Sequence, residues 1–140
     1  MIKKISHPKI AIVTGGVRGI GLAIARQLIS ENFKVVICSR SSTEIKRTLK
    51  ELNSQSKVAH GQKIDVSNYS ECKKLILFAH GIANRIDVLV NNAGIYGPVG
   101  PLEGNDLIEW ARTININLMG MVFCSSLVIP GMKKNKSGKT

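Results

Sequence analysis

The stretch Thr14-Gly15-Gly16-Val17-Arg18-Gly19-Ile20-Gly21 limits the fold more than any other, because it joins two segments of different periodicity. Before it, Lys9 to Val13 is a short, mostly apolar run, which reads as a buried strand. After it, Ile20 to Ile29 carries apolar residues at 20, 24 and 28, the stripe of a helix. Glycine at such a junction lets the backbone turn tightly and keeps Cβ atoms away from anything that approaches the turn. A glycine cluster alone is compatible with a plain tight turn. At the start of a helix it is also an anion site, since free N–H groups and the positive end of the helix dipole point at it. The spacing here is Gly-x-x-x-Gly-x-Gly, not the Gly-x-Gly-x-x-Gly of the common dinucleotide fingerprint.

The strand-then-helix alternation repeats down the chain. Lys34 to Cys38 is a second β-branched run, and Thr43 is placed to cap a helix to about Leu52, with Ile45, Leu49 and Leu52 on one side. Val58 to Ile64 reads as a third strand, interrupted by Gly61. Ser70 to about Ala83 reads as a helix with Cys72, Leu75, Ile76 and Ala79 on one face. Asp87 to Val90 reads as a strand, and about Asp106 to Ile129 as a long helix ended by Pro130-Gly131. Apolar strands separated by helix-length segments indicate a parallel sheet covered on both faces. Right-handed crossovers then give a doubly wound, Rossmann-type α/β fold, here truncated after about four strand–helix units.

Composition narrows the class of function. Lys plus Arg number 20 against 9 Asp plus Glu, a formal charge of +11. Nucleic acid, an acidic membrane surface and a polyanionic small molecule all suit such a charge. The basic residues are scattered, with Lys3, Lys4 and Lys9 at the start, Lys46, Arg47 and Lys50 together, and more at Lys133 to Lys139. Aromatic residues are only 4% and do not interleave with them, so a solvated surface is preferred to a nucleic-acid face. No uninterrupted apolar run approaches the ~20 residues of a membrane span. The apolar segment after the basic opening breaks at Thr14-Gly15-Gly16, unlike a signal peptide. Cys38, Cys72 and Cys124 are odd in number, widely spaced, and form no metal-ligand pattern with His7, His60 or His80. Buried, reduced thiols in a soluble cytoplasmic protein are expected, with no membrane or nucleic-acid partner.

Further motifs follow in order. Asp65-Val66 comes after the third strand, Asn91-Asn92-Ala93-Gly94 after the fourth, and Ile116-Asn117-Leu118 within the long helix. With the Thr-Gly-x-x-x-Gly-x-Gly loop, these resemble the short-chain dehydrogenase/reductase family, in particular members like the 3-oxoacyl-acyl-carrier-protein reductases. The resemblance covers about Lys9 to Gly138. It implies that residues 1–140 are an NADP-binding Rossmann domain, incomplete at the C-terminus. It implies cofactor contacts from Gly15, Val17, Arg18, Gly19, Ile20 and Gly21, an adenine contact from Asp65 with Val66 beside it, and a nicotinamide-ribose border from Asn92, Ala93 and Gly94. For Asn117 it implies a catalytic-site role, in which a locally distorted helix holds a water of a proton relay. Each has a plainer reading: Asp65 as a turn residue, Asn91 to Gly94 as a polar turn, Asn117 as a hydrogen-bonded core amide. Trp110, Ile114, Asn117 and Met121 share helical spacing, which puts Asn117 on an apolar, buried stripe.

Cofactor preference is read at the end of the second strand. NAD-preferring folds place an acid there for the ribose 2′-hydroxyl. This chain has Ser39 and then Arg40, with Arg18 in the glycine loop. A guanidinium pairs with a 2′-phosphate that a carboxylate repels, which favours NADP(H).

The family's hydride chemistry uses a Ser and a Tyr-x-x-x-Lys that follow the next strand. Here the only tyrosines are Tyr69 and Tyr96. Tyr69 with Lys73 has the spacing but lies between the third and fourth strands, so it does not match. The tail Lys136 to Thr140 resembles the lead-in to a fifth strand. The expectation is an oxidoreductase acting on a carbonyl or alcohol substrate, present as a fragment that is inactive alone. A 3-oxoacyl thioester or small carbonyl is the most ordinary substrate, with the loop Ile95 to Gly104 along one side of its pocket. A bare edge at Asp87 to Val90 and homo-oligomerisation through the helix 106–129 are expected as well. The competing reading is a non-catalytic NADP-binding sensor or scaffold.

Overall fold

The computed structural model describes residues 8–140, so Lys3, Lys4 and His7 lie outside the described residues. Four parallel strands form one sheet: β1 (Ile10–Thr14), β2 (Lys34–Ser39), β3 (Ala59–Lys63) and β4 (Val88–Val90), in the order β3-β2-β1-β4. Helices α1 (Gly19–Ser30), α2 (Ser42–Leu52) and α3 (Tyr69–Ile82) connect them, and a long helix follows β4. The long helix comprises α4 (Leu107–Ile114), a π-helical turn (Asn115–Met119) and α5 (Gly120–Lys134).

β1 is buried at every position, because both faces of the sheet are covered. Its residues divide by the period of two: Ile10 and Ile12 join Val36, Leu75 and Cys124 in one core, and Val13 joins Val35, Ile37 and Ile45 in the other. The first core lies under α3 and α5, the second under α1 and α2. The expected doubly wound parallel sheet is therefore present.

Several local expectations change. Ser41, not Thr43, caps α2, its hydroxyl accepting from Glu44 N at 3.2 Å, and Thr43 falls in the first turn. Gly61 does not interrupt β3 but makes it possible, since a Cβ there would stand 2.6 Å from Ile45 Cγ2 of the overlying helix. In α1 the inner face runs through Gly21, Ile24, Ala25 and Leu28, while Ile20 is 74% exposed. In α3, Cys72, Leu75, Ile76 and Ala79 are buried as the spacing indicates.

The long helix departs most from its expected form. It runs past Pro130-Gly131 to Lys134, anchored by buried Val128 and Met132 on either side of the proline. Thr113, Ile116, Gly120, Cys124, Val128 and Met132 form its inner row. The stripe Trp110, Ile114, Met121 is exposed, and so is Asn117, which is not a core amide. By length and composition alone this helix is apolar enough to cross a membrane, although no single uninterrupted run is. Its inner row packs on α3 and the sheet, as a core helix of an α/β domain does.

The edge of β4 is not bare. Lys139 lies parallel to Val88, accepting from Leu89 N at 2.9 Å and donating to Asp87 O at 3.0 Å.

Candidate functional site

The strand order reverses on either side of β1, whose chain leaves toward β2 on one side and has β4 on the other. Open α/β sheets form a crevice at the carboxyl ends of the strands at such a point. A cavity of about 590 Å³ occupies it. Gly15, Val17, Arg18, Gly19, Ile20, Gly21, Ser39, Arg40, Asp65, Val66, Asn92, Ala93 and Gly94 all line this cavity, so the sequence motifs converge on one place. Ile95 and Tyr96, of the loop expected along one side of the pocket, and Ile116, of the Ile116-Asn117-Leu118 motif, line it too, whereas Cys38, Glu44 and Ile64 line it without having been singled out as site residues. Of these last three, only Glu44 left a signal, the Ser41-x-x-Glu44 spacing of a helix start.

The glycines of the first loop do different work. Gly15 has φ +64°, and a Cβ on it would lie 3.0 Å from Ala93 Cα. A Cβ on Gly21 would fall 2.4 Å from Asn92 Nδ2, so this glycine admits the neighbouring loop. Gly19 has φ +54° with nothing within 4 Å of where a Cβ would stand: it opens on the cavity. Arg18 precedes α1 in extended conformation and no side chain caps the helix, so the first-turn N–H groups have no side-chain acceptor at the cap. Such a turn could hold a phosphate group, and a dinucleotide pyrophosphate fits its chemistry.

Asn92 binds the glycine loop to the β4 loop, its Nδ2 donating to Thr14 O at 3.0 Å and Gly15 O at 3.1 Å. Asn91 Nδ2 donates to Ser125 Oγ of α5 at 3.1 Å. The paired asparagines thus tie three elements together.

On the opposite wall, Asp65 Oδ1 accepts from Ser67 N at 3.0 Å and Ser67 Oγ at 2.7 Å. Partial burial pushes the Asp65 carboxyl up, but the Ser67 bonds and the charges of Arg40 and Arg112 outweigh it and hold the group below its ordinary value. It is a carboxylate at neutral pH, able to accept from an amine. Glu71 Oε2 accepts from Asp65 N at 2.6 Å and so sets the loop.

At the end of β2, Ser39 Oγ accepts from Ser41 N at 3.2 Å. Arg40 is exposed and takes part in none of the ion pairs among the described residues. Arg18 Nη1 lies 3.8 Å from Glu44 Oε1. The three thiols are free and buried, and burial pushes Cys38 up to about 12, which leaves it without nucleophilic character.

Asn117 does not line the cavity. It sits in the π turn and bonds the main chain of Ile95, beside Gly94, on the loop that does. Lys73 Nζ stands 5.5 Å over the Tyr69 ring, and Tyr69 packs edge-on to Phe123, so this pair is turned to α5 and away from the cavity.

The family model described as short chain dehydrogenase matches residues 9–140. A 3-oxoacyl-[acyl-carrier-protein] reductase of Synechocystis is 37% identical over 132 residues, 94% of this chain and 53% of that protein. Among solved structures, an actinorhodin polyketide ketoreductase with NADPH superposes with TM-score 0.88 at 34% identity, over 93% of this chain and 50% of the other. A metagenomic short-chain oxidoreductase in complex with NADP gives TM-score 0.88 at 32% identity, over 94% of this chain and 59% of that one. The chain spans about half the length of the curated relatives it matches. With its motifs gathered at the switch point of a parallel sheet, this chain belongs to the short-chain dehydrogenase family.

Proposed function

We propose that this chain forms the cofactor-binding part of an NADP(H)-dependent oxidoreductase acting on a carbonyl or alcohol substrate. The observation that carries the cofactor choice is Arg40 at the end of β2, on the cavity wall with Arg18, with Ser39 where an acid would select NAD. The two neighbours solved with NADPH and NADP support the same choice. In this reading Gly19 and the first turn of α1 hold the pyrophosphate. Arg40 and Arg18 meet the 2′-phosphate, Asp65 accepts from the adenine amine, and Val66 covers it. Asn92, Ala93 and Gly94 border the nicotinamide ribose. The nicotinamide supplies or removes a hydride when bound. Asn117 positions the Ile95 loop and holds a water for proton transfer.

The substrate class proposed is a 3-oxoacyl thioester or a small carbonyl compound, in keeping with the reductases among the relatives. Tyr96, fully exposed at the rim, and the loop to Gly104 face it. The long helix, with Leu107, Ile108, Ile114 and Leu118 exposed, is the proposed contact between subunits of a cytoplasmic homo-oligomer. A second reading, an NADP-binding module without catalysis, draws on Tyr69 and Lys73 pointing away from the cavity.

Calorimetric titration with NADPH and NADH tests the cofactor reading. Tighter binding of NADPH is expected, and equal affinity overturns it. Carbonyl-dependent NADPH oxidation by a longer chain carrying a Ser and a Tyr-x-x-x-Lys separates the two functional readings; the 140-residue chain alone is expected to give none under either.

A further inference from the structure

The spacing Ser41-x-x-Glu44 is that of a capping box, in which each residue's side chain accepts from the other's amide. Only half of it forms in α2. Ser41 Oγ accepts from Glu44 N at 3.2 Å, but Ser41 N donates to Ser39 Oγ, also at 3.2 Å. Ser39 takes the second bond of the box, and the Glu44 carboxylate is released from the helix end. It lies on the cavity wall with Arg18, Ser39 and Arg40, its Oε1 3.8 Å from Arg18 Nη1. The Glu44 side chain is 29% exposed and that of Arg18 81%, so the carboxylate is the partner packed into the wall and the guanidinium the one in solvent.

We infer that Glu44 is a specificity-determining residue, a carboxylate built into the phosphate-recognising wall that weakens 2′-phosphate binding and so limits the preference for NADPH over NADH. The inference rests on the NADP(H) reading above. Two effects of Glu44 oppose each other. Holding Arg18 near the cavity prepares it for an anion, but an ion pair with a largely exposed partner contributes little. A phosphate monoester carries nearly two charges at neutral pH, and a carboxylate on the wall of a concave site repels both. The phosphate must also draw Arg18 off its present partner. Repulsion is the larger effect. A 2′-hydroxyl carries no charge and meets no such opposition.

Titration of the chain with adenosine 2′,5′-bisphosphate and adenosine 5′-monophosphate tests this without turnover. Glu44→Gln keeps the side-chain length and the amide bond to Ser41. The bisphosphate is expected to bind the variant about five- to tenfold tighter, with a gain that shrinks as salt is added, and the monophosphate by less than about twofold. Glu51→Gln removes a carboxylate that pairs with Arg26 on the exterior, and serves as the charge-matched control. Circular dichroism and unfolding midpoints show that both variants are folded. Unchanged or weaker bisphosphate binding in Glu44→Gln, or an equal gain in Glu51→Gln, overturns the role of Glu44. If the parent chain takes both nucleotides equally, the NADP(H) reading fails, and the ratio of variant to parent still decides for or against Glu44.

Discussion

Asn117 holds the main chain of Ile95 through both ends of its amide, Oδ1 accepting from Ile95 N and Nδ2 donating to Ile95 O, each at 2.8 Å. A single side chain thus imitates a strand partner for the loop after β4. The π turn gives it this position, because the wider winding turns residues 115–119 out of phase with α4. Asn117→Ala removes both bonds and is expected to cost about 1–2 kcal/mol, read from denaturant unfolding. Amide exchange at Ile95 should quicken as well. An unchanged exchange rate there would show that the loop is held by other contacts.

Arg40→Asp should lower the NADPH preference at least tenfold, roughly 1.4 kcal/mol, by exchanging a phosphate partner for a like charge. Competitive titration of NADPH against NADH reads this. A ratio that does not move would take Arg40 out of the recognition.

Gly19→Val should abolish cofactor binding and leave the sheet formed. The side chain enters the open space in front of α1, where nothing lies within 4 Å, and φ +54° is unfavourable to a β-branched residue. Full affinity by calorimetry would mean that this loop is only a turn.

His60 supplies a pH dependence. Its partial burial on β3, with Lys34 and Lys57 nearby, holds the imidazole below its ordinary 6.5. The unfolded chain therefore takes up the proton first, and stability falls as the pH drops through 6.5 until the folded form is protonated too. His60→Gln should flatten this slope on the acid side of pH 6.5 in thermal unfolding. A slope that survives the substitution would assign it to other groups.

Size-exclusion chromatography should find the chain self-associated, since Leu107 and Ile108 are 73% and 76% exposed on the same helix as Ile114 and Leu118. Ile114→Glu should shift elution toward the monomer without lowering the unfolding midpoint. A parent chain that is monomeric at all concentrations would contradict the proposed subunit contact.

The sheet was legible because β1 and β2 are apolar on both faces and separated by a helix-length segment, the pattern of parallel strands covered on both sides. The residues around the cavity were legible through their order along the chain, from Gly15 to Gly94. The long helix was not. It is apolar nearly all round, so the period of 3.6 permits both the Trp110–Ile114 stripe and the Thr113–Ile116 row. The π turn then shifts the phase between α4 and α5, and spacing carried across it fails. Ser41, Ser42 and Thr43 are adjacent cap candidates, and the bond from Ser41 N to Ser39 Oγ is a feature of three dimensions. The part played by Glu44 was hidden for the same reason.

β4 has three residues, yet side chains stop it against β1 at both ends. At one end Asp87 Oδ2 accepts from Ile10 N at 3.0 Å. At the other, Thr14 Oγ1 accepts from Asn92 N and Ala93 N, each at 3.0 Å, and donates to Val90 O at 3.3 Å. The segment from Asp87 to Asn92 is therefore a spacer of fixed count between two latches. One residue more or fewer leaves one latch open and turns Leu89 to the wrong face of the sheet. Length changes during divergence should thus be absent from this segment and collect between Tyr96 and Asn105. There, Asn105 Nδ2 ties the turn only to its own carbonyls, Gly100 O and Pro101 O.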